Sequence, residues 1–151
     1  MKTRHASLIA VLLILAAAAP LSSQNARDQA TDPDHAKHSL AVNLLRAINT
    51  AEMDYKNKHG VYASKDTLLA SEEFTGRGIA WAAKNDPKLA NARVSIGPEV
   101  LPGWSLRLNL AADGNGYDVL LEDIRDKSCG YAAVTDERGV IRQSKTIGCK
   151  I

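Results

Sequence analysis

Ser105-Leu106-Arg107-Leu108-Asn109-Leu110 alternates polar and apolar side chains, and Asp113-Gly114-Asn115-Gly116 follows closely. Period-two alternation is the mark of a half-buried strand, and an Asp-Gly-Asn-Gly run is a strong turn signal. Tyr117 to Ile124 then reads as the returning partner strand. Downstream, Gly130–Thr135 reads as a third strand, Asp136-Glu137-Arg138-Gly139 as a turn, and Val140–Ser144 as a fourth. The last third of the chain is therefore expected to be an antiparallel meander of four strands.

Upstream the period changes. Asp32 can cap a helix, Pro33 suits its first position and Asp34 favours its positive end. The helix is expected to run to Lys58 or His59, with Gly60 as a left-handed stop. Leu40, Ala41, Leu44, Leu45, Ala47, Ile48, Ala51 and Tyr55 make an apolar arc wide enough to cover a sheet. Glu52 is placed on the flank of that arc, as an i,i+4 ion pair with Lys56. Val42, Arg46, Asn49 and Met53 fall on the other side and form a candidate contact stripe. A helix followed by a meander is an α+β plan: one long helix packed on a four-stranded antiparallel sheet. Between them, Ser64 reads as the cap of a short helix through Leu69 and Ala70, and another short helix fits Ile79–Lys84. Val94-Ser95-Ile96 has the composition of a short strand within a stretch rich in Pro and Gly.

The first residues carry the parts of a secretory signal. Lys2 and Arg4 form a basic head, Ala6 to Ala19 is apolar or small, and Pro20 ends the run before small residues. The apolar stretch falls short of the roughly 20 residues that span a bilayer, so no stable span is expected after cleavage. Residues 1–26 are read as the signal peptide, 27–34 as a linker and 35–151 as one globular domain, periplasmic or secreted. The whole chain has 19 Lys and Arg against 17 Asp and Glu, and Lys2 and Arg4 account for the difference. The exported part is then near neutral and offers no basic patch for nucleic acid.

Aromatic residues are only 5% of the chain, so the core is expected to rest mainly on Leu, Ile, Val and Ala. An exported domain of this size gains from a covalent brace, and Cys129 and Cys149 are the two cysteines. They read as a disulfide whose loop of about 20 residues would stabilise by roughly 3 kcal/mol. Two free thiols or a redox pair are the competing readings, and the wide spacing argues against redox work.

Several residues resemble a known family. Ala47-Ile48-Asn49-Thr50-Ala51-Glu52 through Tyr55, then His59-Gly60-Val61-Tyr62-Ala63, resembles the helix-to-loop passage of type IV pilins and pilin-like proteins. Asp136 to Arg142 is similar to the last hairpin of many such domains, and a cysteine pair closing a C-terminal loop is common among them. The resemblance covers about residues 36–151 and implies a long helix on a four-stranded antiparallel sheet. It stops at the N-terminus, where a pilin has a leader ending in Gly and a Glu early in its apolar helix. Here the first glycine is Gly60, the apolar segment has no acid, and Pro20 and Pro33 separate it from the amphipathic helix. A pilin-like head behind an ordinary signal, rather than a filament subunit, is the expectation.

No catalytic or cofactor motif is expected. There is no Gly-x-Ser-x-Gly, Walker loop or dinucleotide fingerprint. His35 and His38 at one helix end are too few for a metal site. Asp113-x-Asn115 lacks the acid that completes a calcium loop. Asp118, Glu122, Asp123 and Asp126 read as a solvated strand face. The chain is expected to be a non-enzymatic interaction or structural module of the cell envelope, without cofactor and with an envelope protein as partner. Its candidate surfaces are the helix stripe and the disulfide-closed loop. The alternative is a small-ligand module with a cleft around Trp81 and Trp104.

Overall fold

A computed structural model describes residues 33–90, 92–125, 127–128 and 130–145. The signal of residues 1–26, Asp32, Asp126, Cys129 and Cys149 lie outside the described residues.

Helix α1 spans Pro33–His59 and stops where Gly60 turns left-handed at φ +83°. The Gly60 N–H donates to the Lys56 carbonyl at 2.8 Å, closing the last turn as its composition predicts. Short helices follow at Lys65–Ala70 (α2), Ile79–Asn85 (α3) and Pro87–Ala90 (α4), with a π-helical turn at Glu73–Gly78. Ser64 caps α2 by accepting from the Thr67 N–H, as expected. The π turn has no counterpart in the sequence reading. It is held against α1 because Gly78 lacks a side chain: a Cβ there would lie 2.9 Å from the Ala47 carbonyl oxygen.

The sheet has five strands, not four, in the order β1-β2-β3-β4-β5 and antiparallel throughout. They are Glu99–Leu101, Trp104–Leu110, Tyr117–Asp123, Ala132–Asp136 and Arg142–Ser144. The additional strand, β1, lies just after the segment expected to be extended. Val94–Ile96 instead bends back, with the Ser95 N–H donating to the Val100 carbonyl at 2.8 Å. Pro102-Gly103, irregular chain by composition, is the tight β1–β2 turn, with Gly103 at φ +79°. Leu101 pairs with Trp104 across it. The central hairpin matches its expectation, Leu110 pairing with Tyr117 around the Asp113–Gly116 turn.

The core lies between α1 and the inner sheet face. Ala41, Leu44, Leu45, Ile48 and Ala51 pack toward Leu106, Val119, Leu121 and Ala133, all buried. The core rests mainly on Leu, Ile, Val and Ala, as composition predicts, with aromatic side chains added to it. Five of the seven aromatic residues are buried, namely Tyr62, Phe74, Trp104, Tyr117 and Tyr131. A small domain gains most area per residue from large side chains, so scarce aromatics are concentrated where they are covered.

Candidate functional site

The seam between α1 and the sheet is polar at one end. Glu52 is fully buried, seven residues on from Leu45 and four from Ile48, and so on the same stripe as the core. The Ala63 N–H donates to its Oε2 at 2.9 Å, while Oε1 has no hydrogen-bond partner among the described residues. Burial pushes this carboxyl up to about 7, opposed by the Ala63 hydrogen bond. The expected Glu52–Lys56 ion pair is therefore not formed. Lys56 instead holds its ammonium 4.2 Å from the centre of the Tyr62 ring.

Asn49 lies beside this carboxylate on α1. Its Nδ2 donates to Thr135 Oγ1 at 2.9 Å, and the Tyr117 hydroxyl donates to its Oδ1 at 3.0 Å. Burial, followed by the Glu52 charge, pushes the Tyr117 hydroxyl well above its ordinary value, so it remains a donor at neutral pH. Tyr117 meets Tyr62 edge to face at 4.8 Å. The Tyr62 N–H donates to the Gly114 carbonyl at 3.1 Å. Helix, helix-to-loop passage, central hairpin and β4 thus converge on one buried polar seam.

This geometry breaks the proposed contact stripe. Arg46 and Met53 are exposed and Val42 half-buried, but Asn49 turns inward to the sheet. An asparagine four residues after Leu45 is on the core side of the helix, and that spacing could have revealed it. The acidic run also divides. Asp118 pairs with Asn109 and Glu122 with Arg107 on the outer face, as expected of a solvated strand. Asp123 is buried instead. Burial alone would raise its pKa, but hydrogen bonds from the Arg125 side chain and backbone outweigh it and hold the carboxyl below its ordinary value.

Trp81 and Trp104 do not share a cleft. Trp81 sits on α3 and is 40% exposed, whereas Trp104 is buried and meets Tyr131 at a near right angle, 5.9 Å between centres. The cleft beside Trp104 has a volume of about 270 Å³ and is lined by Leu40, Leu101 and Pro102 together with Lys37, Lys88 and Arg125. Neither the sequence spacing nor the composition singles out those three cations. His38 stacks on Tyr131 at 4.0 Å. His59 stacks on Tyr55 at 4.2 Å at the helix end where a terminal base suits the dipole. Among the described residues, no group of three or more His, Cys, Asp and Glu could hold a metal ion, and no helix is long and apolar enough to cross a membrane.

Comparison with protein-family models, curated proteins and solved structures returned no match. The class that the fold defines is α+β, a long helix followed by a five-stranded antiparallel sheet.

Proposed function

We propose that this chain is an exported, non-enzymatic protein of pilin-like architecture, working as an interaction or structural module of the cell envelope. The observation that carries the reading is the passage from Ala47 to Ala63. There one long helix ends, and its following loop is tied back to it through Glu52 and to the central hairpin through Gly114. Those are the residues on which the resemblance to pilin-like domains rests. Export rests on the basic, apolar and small-residue sequence of the first 26 residues.

The disulfide belongs to the same reading. Ala132 at the start of β4 pairs with Ser144 at the end of β5. The described ends that lead toward Cys129 and Cys149 are therefore neighbours, which supports a bridge between those cysteines.

Two partly exposed surfaces are available for a partner. One is the helix stripe reduced to Val42, Arg46 and Met53. The other is a cross-strand row on the outer sheet face, where Arg107 pairs with Leu120, Leu120 with Val134 and Val134 with Arg142. Half-buried Leu120 and Val134 form an apolar centre, and Arg107 and Arg142, paired to Glu122 and Asp136, form a polar rim, an arrangement that contact surfaces share. Photo-crosslinking residues placed at Arg46, Met53 and Leu120 in cells test the proposal. Reproducible adducts to one envelope protein from at least one face are expected. Absence of any protein adduct from all three positions would contradict an interaction module.

A further inference from the structure

The turn between β2 and β3 carries a reactive pair of residues. Asn115 is the one asparagine in the sequence followed by glycine. It is exposed and lies in a bend, and Gly116 stands just before Tyr117, the first paired residue of β3. The Gly116 carbonyl accepts from the Ala111 N–H at 2.9 Å, but its nitrogen precedes the strand and is not a ladder donor. With no Cβ on Gly116, that nitrogen is open to close approach by the Asn115 side chain. Among the described residues, the other exposed asparagines are Asn57 and Asn85 on helices and Asn109 on β2, each followed by a residue with a side chain.

The same turn holds the helix-to-loop passage. The Tyr62 N–H donates to the Gly114 carbonyl at 3.1 Å, and a Cβ on Gly114 would lie 3.4 Å from Val61. Three charged groups surround it. Lys56 of α1 donates to the Asn115 carbonyl at 3.5 Å, and Asp113 Oδ1 accepts from the Asn115 N–H at 2.9 Å. Hydrogen bonds from the Asn115 backbone and side chain hold the Asp113 carboxyl below its ordinary value, so it is ionised at neutral pH. Glu137, after β4, would have its Oε2 3.8 Å from a Cβ on Gly116.

We propose that Asn115 is a self-modifying site, converting to aspartate and isoaspartate in the folded protein, and that isoaspartate releases the turn from the helix-to-loop passage. The Gly116 nitrogen bonds to Asn115 Cγ and the Cγ–Nδ2 bond breaks, releasing ammonia that carries off the Gly116 proton. The cyclic imide then takes up a water molecule, the sole co-reactant, with no change of oxidation state. Opening at Cγ gives aspartate. Opening at the main-chain carbonyl gives isoaspartate, whose chain runs on through the side-chain carbon. Either product sets a new negative charge beside Asp113 and Glu137, where like charges repel. Isoaspartate also lengthens the main chain between Gly114 and Gly116, whose carbonyls hold Tyr62 and Ala111. The site stands independently of the pilin-like reading.

Incubation of the folded full chain in heavy-oxygen water, at mildly acid and mildly alkaline pH, tests it by peptide mapping. The peptide holding Asn115 should exchange its amide for a carboxyl that carries the label, faster at alkaline pH because the attacking nitrogen must lose its proton. Protein isoaspartate methyltransferase should methylate that peptide, and Asn57, Asn85 and Asn109 should lag behind it. Gly116→Ala should suppress the conversion with the fold intact, since its Cβ would meet Ala111 Cβ at 3.5 Å, an ordinary contact. Hydrogen exchange at the Tyr62 amide should quicken in the isoaspartate fraction. It should stay slow in Asn115→Asp, which has the charge without the longer chain. Conversion only in urea-unfolded chain, or no faster at Asn115 than at the other three, would overturn the site. Unchanged Tyr62 exchange in the isoaspartate fraction would overturn the release.

Discussion

Glu52 and Ala63 are joined inside the protein: the Ala63 N–H donates to the buried Glu52 carboxylate at 2.9 Å across the end of the long helix. The bond ties α1 to the loop that leaves it, at the cost of an acid held in the interior with one oxygen unpartnered among the described residues.

That cost has a sign. The carboxyl ordinarily titrates near 4.5 and burial raises it to about 7, so the folded protein binds more protons than the unfolded chain between those values. Stability should be highest at the acid side of this window, fall as pH rises through it, and level off above it, by up to about 3 kcal/mol. Urea denaturation between about pH 5 and 8 measures the slope. Glu52→Gln keeps an acceptor for Ala63 without the charge and should flatten it. An unchanged slope in that variant would place the titrating group elsewhere. The carboxyls of Asp123 and Asp136 are lowered, so their contribution is lost only in more acid solution.

Asn49 should prove structural. Asn49→Leu removes the partner of both Tyr117 and Thr135 and should destabilise by about 1–3 kcal/mol, the cost of buried polar groups left unpaired. Tyr117→Phe should cost less, because Asn49 keeps its bond to Thr135. Equal stability of Asn49→Leu and the native chain would mean that the seam is not formed.

The π turn offers a paired test. Gly78→Ala drives a Cβ to 2.9 Å from the Ala47 carbonyl oxygen and should destabilise by about 1–3 kcal/mol. Gly76→Ala meets nothing nearer than 3.8 Å and should be neutral or stabilise by about 0.4–1 kcal/mol through the unfolded chain. Thermal melts of the two variants should therefore move apart, and a matching loss in both would refute the close contact of the turn with α1.

The two tryptophans should differ in the same way. Trp104→Ala removes a buried indole that packs on Tyr131 and should cost about 3–5 kcal/mol. Trp81→Phe, on an exposed helix face, should stay within about 0.5 kcal/mol of the native chain. Denaturant midpoints at matched slope give both values.

The helix, its Gly60 stop, the Ser64 cap and the central hairpin were legible because each is a local signal. A positive-φ glycine, a side-chain cap and an Asp-Gly turn need no tertiary partner to declare themselves. Strand β1 was not legible, since three residues carry no period and Pro102-Gly103 reads equally as loop or tight turn. The seam was only half legible. Seven-residue spacing from Leu45 puts Glu52 on the core stripe, yet burial of a lone acid is disfavoured enough that a surface ion pair was the natural expectation. The carboxylate survives there because the Ala63 N–H comes from a loop whose path the helix pattern does not reveal. Lys37 on α1, Lys88 on α4 and Arg125 just after β3 are far apart in the chain, so their convergence on Trp104 could come only from the fold.

Export and closure of the domain are tested together by the intact mass of the protein recovered from its native cell envelope, with and without reductant and alkylation. The account predicts a chain that has lost its first 20 to 26 or so residues, as signal peptides of this length do. It also predicts that Cys129 and Cys149 become alkylated only after reduction. A mass that begins at Met1, with both thiols alkylated before reduction, would contradict it.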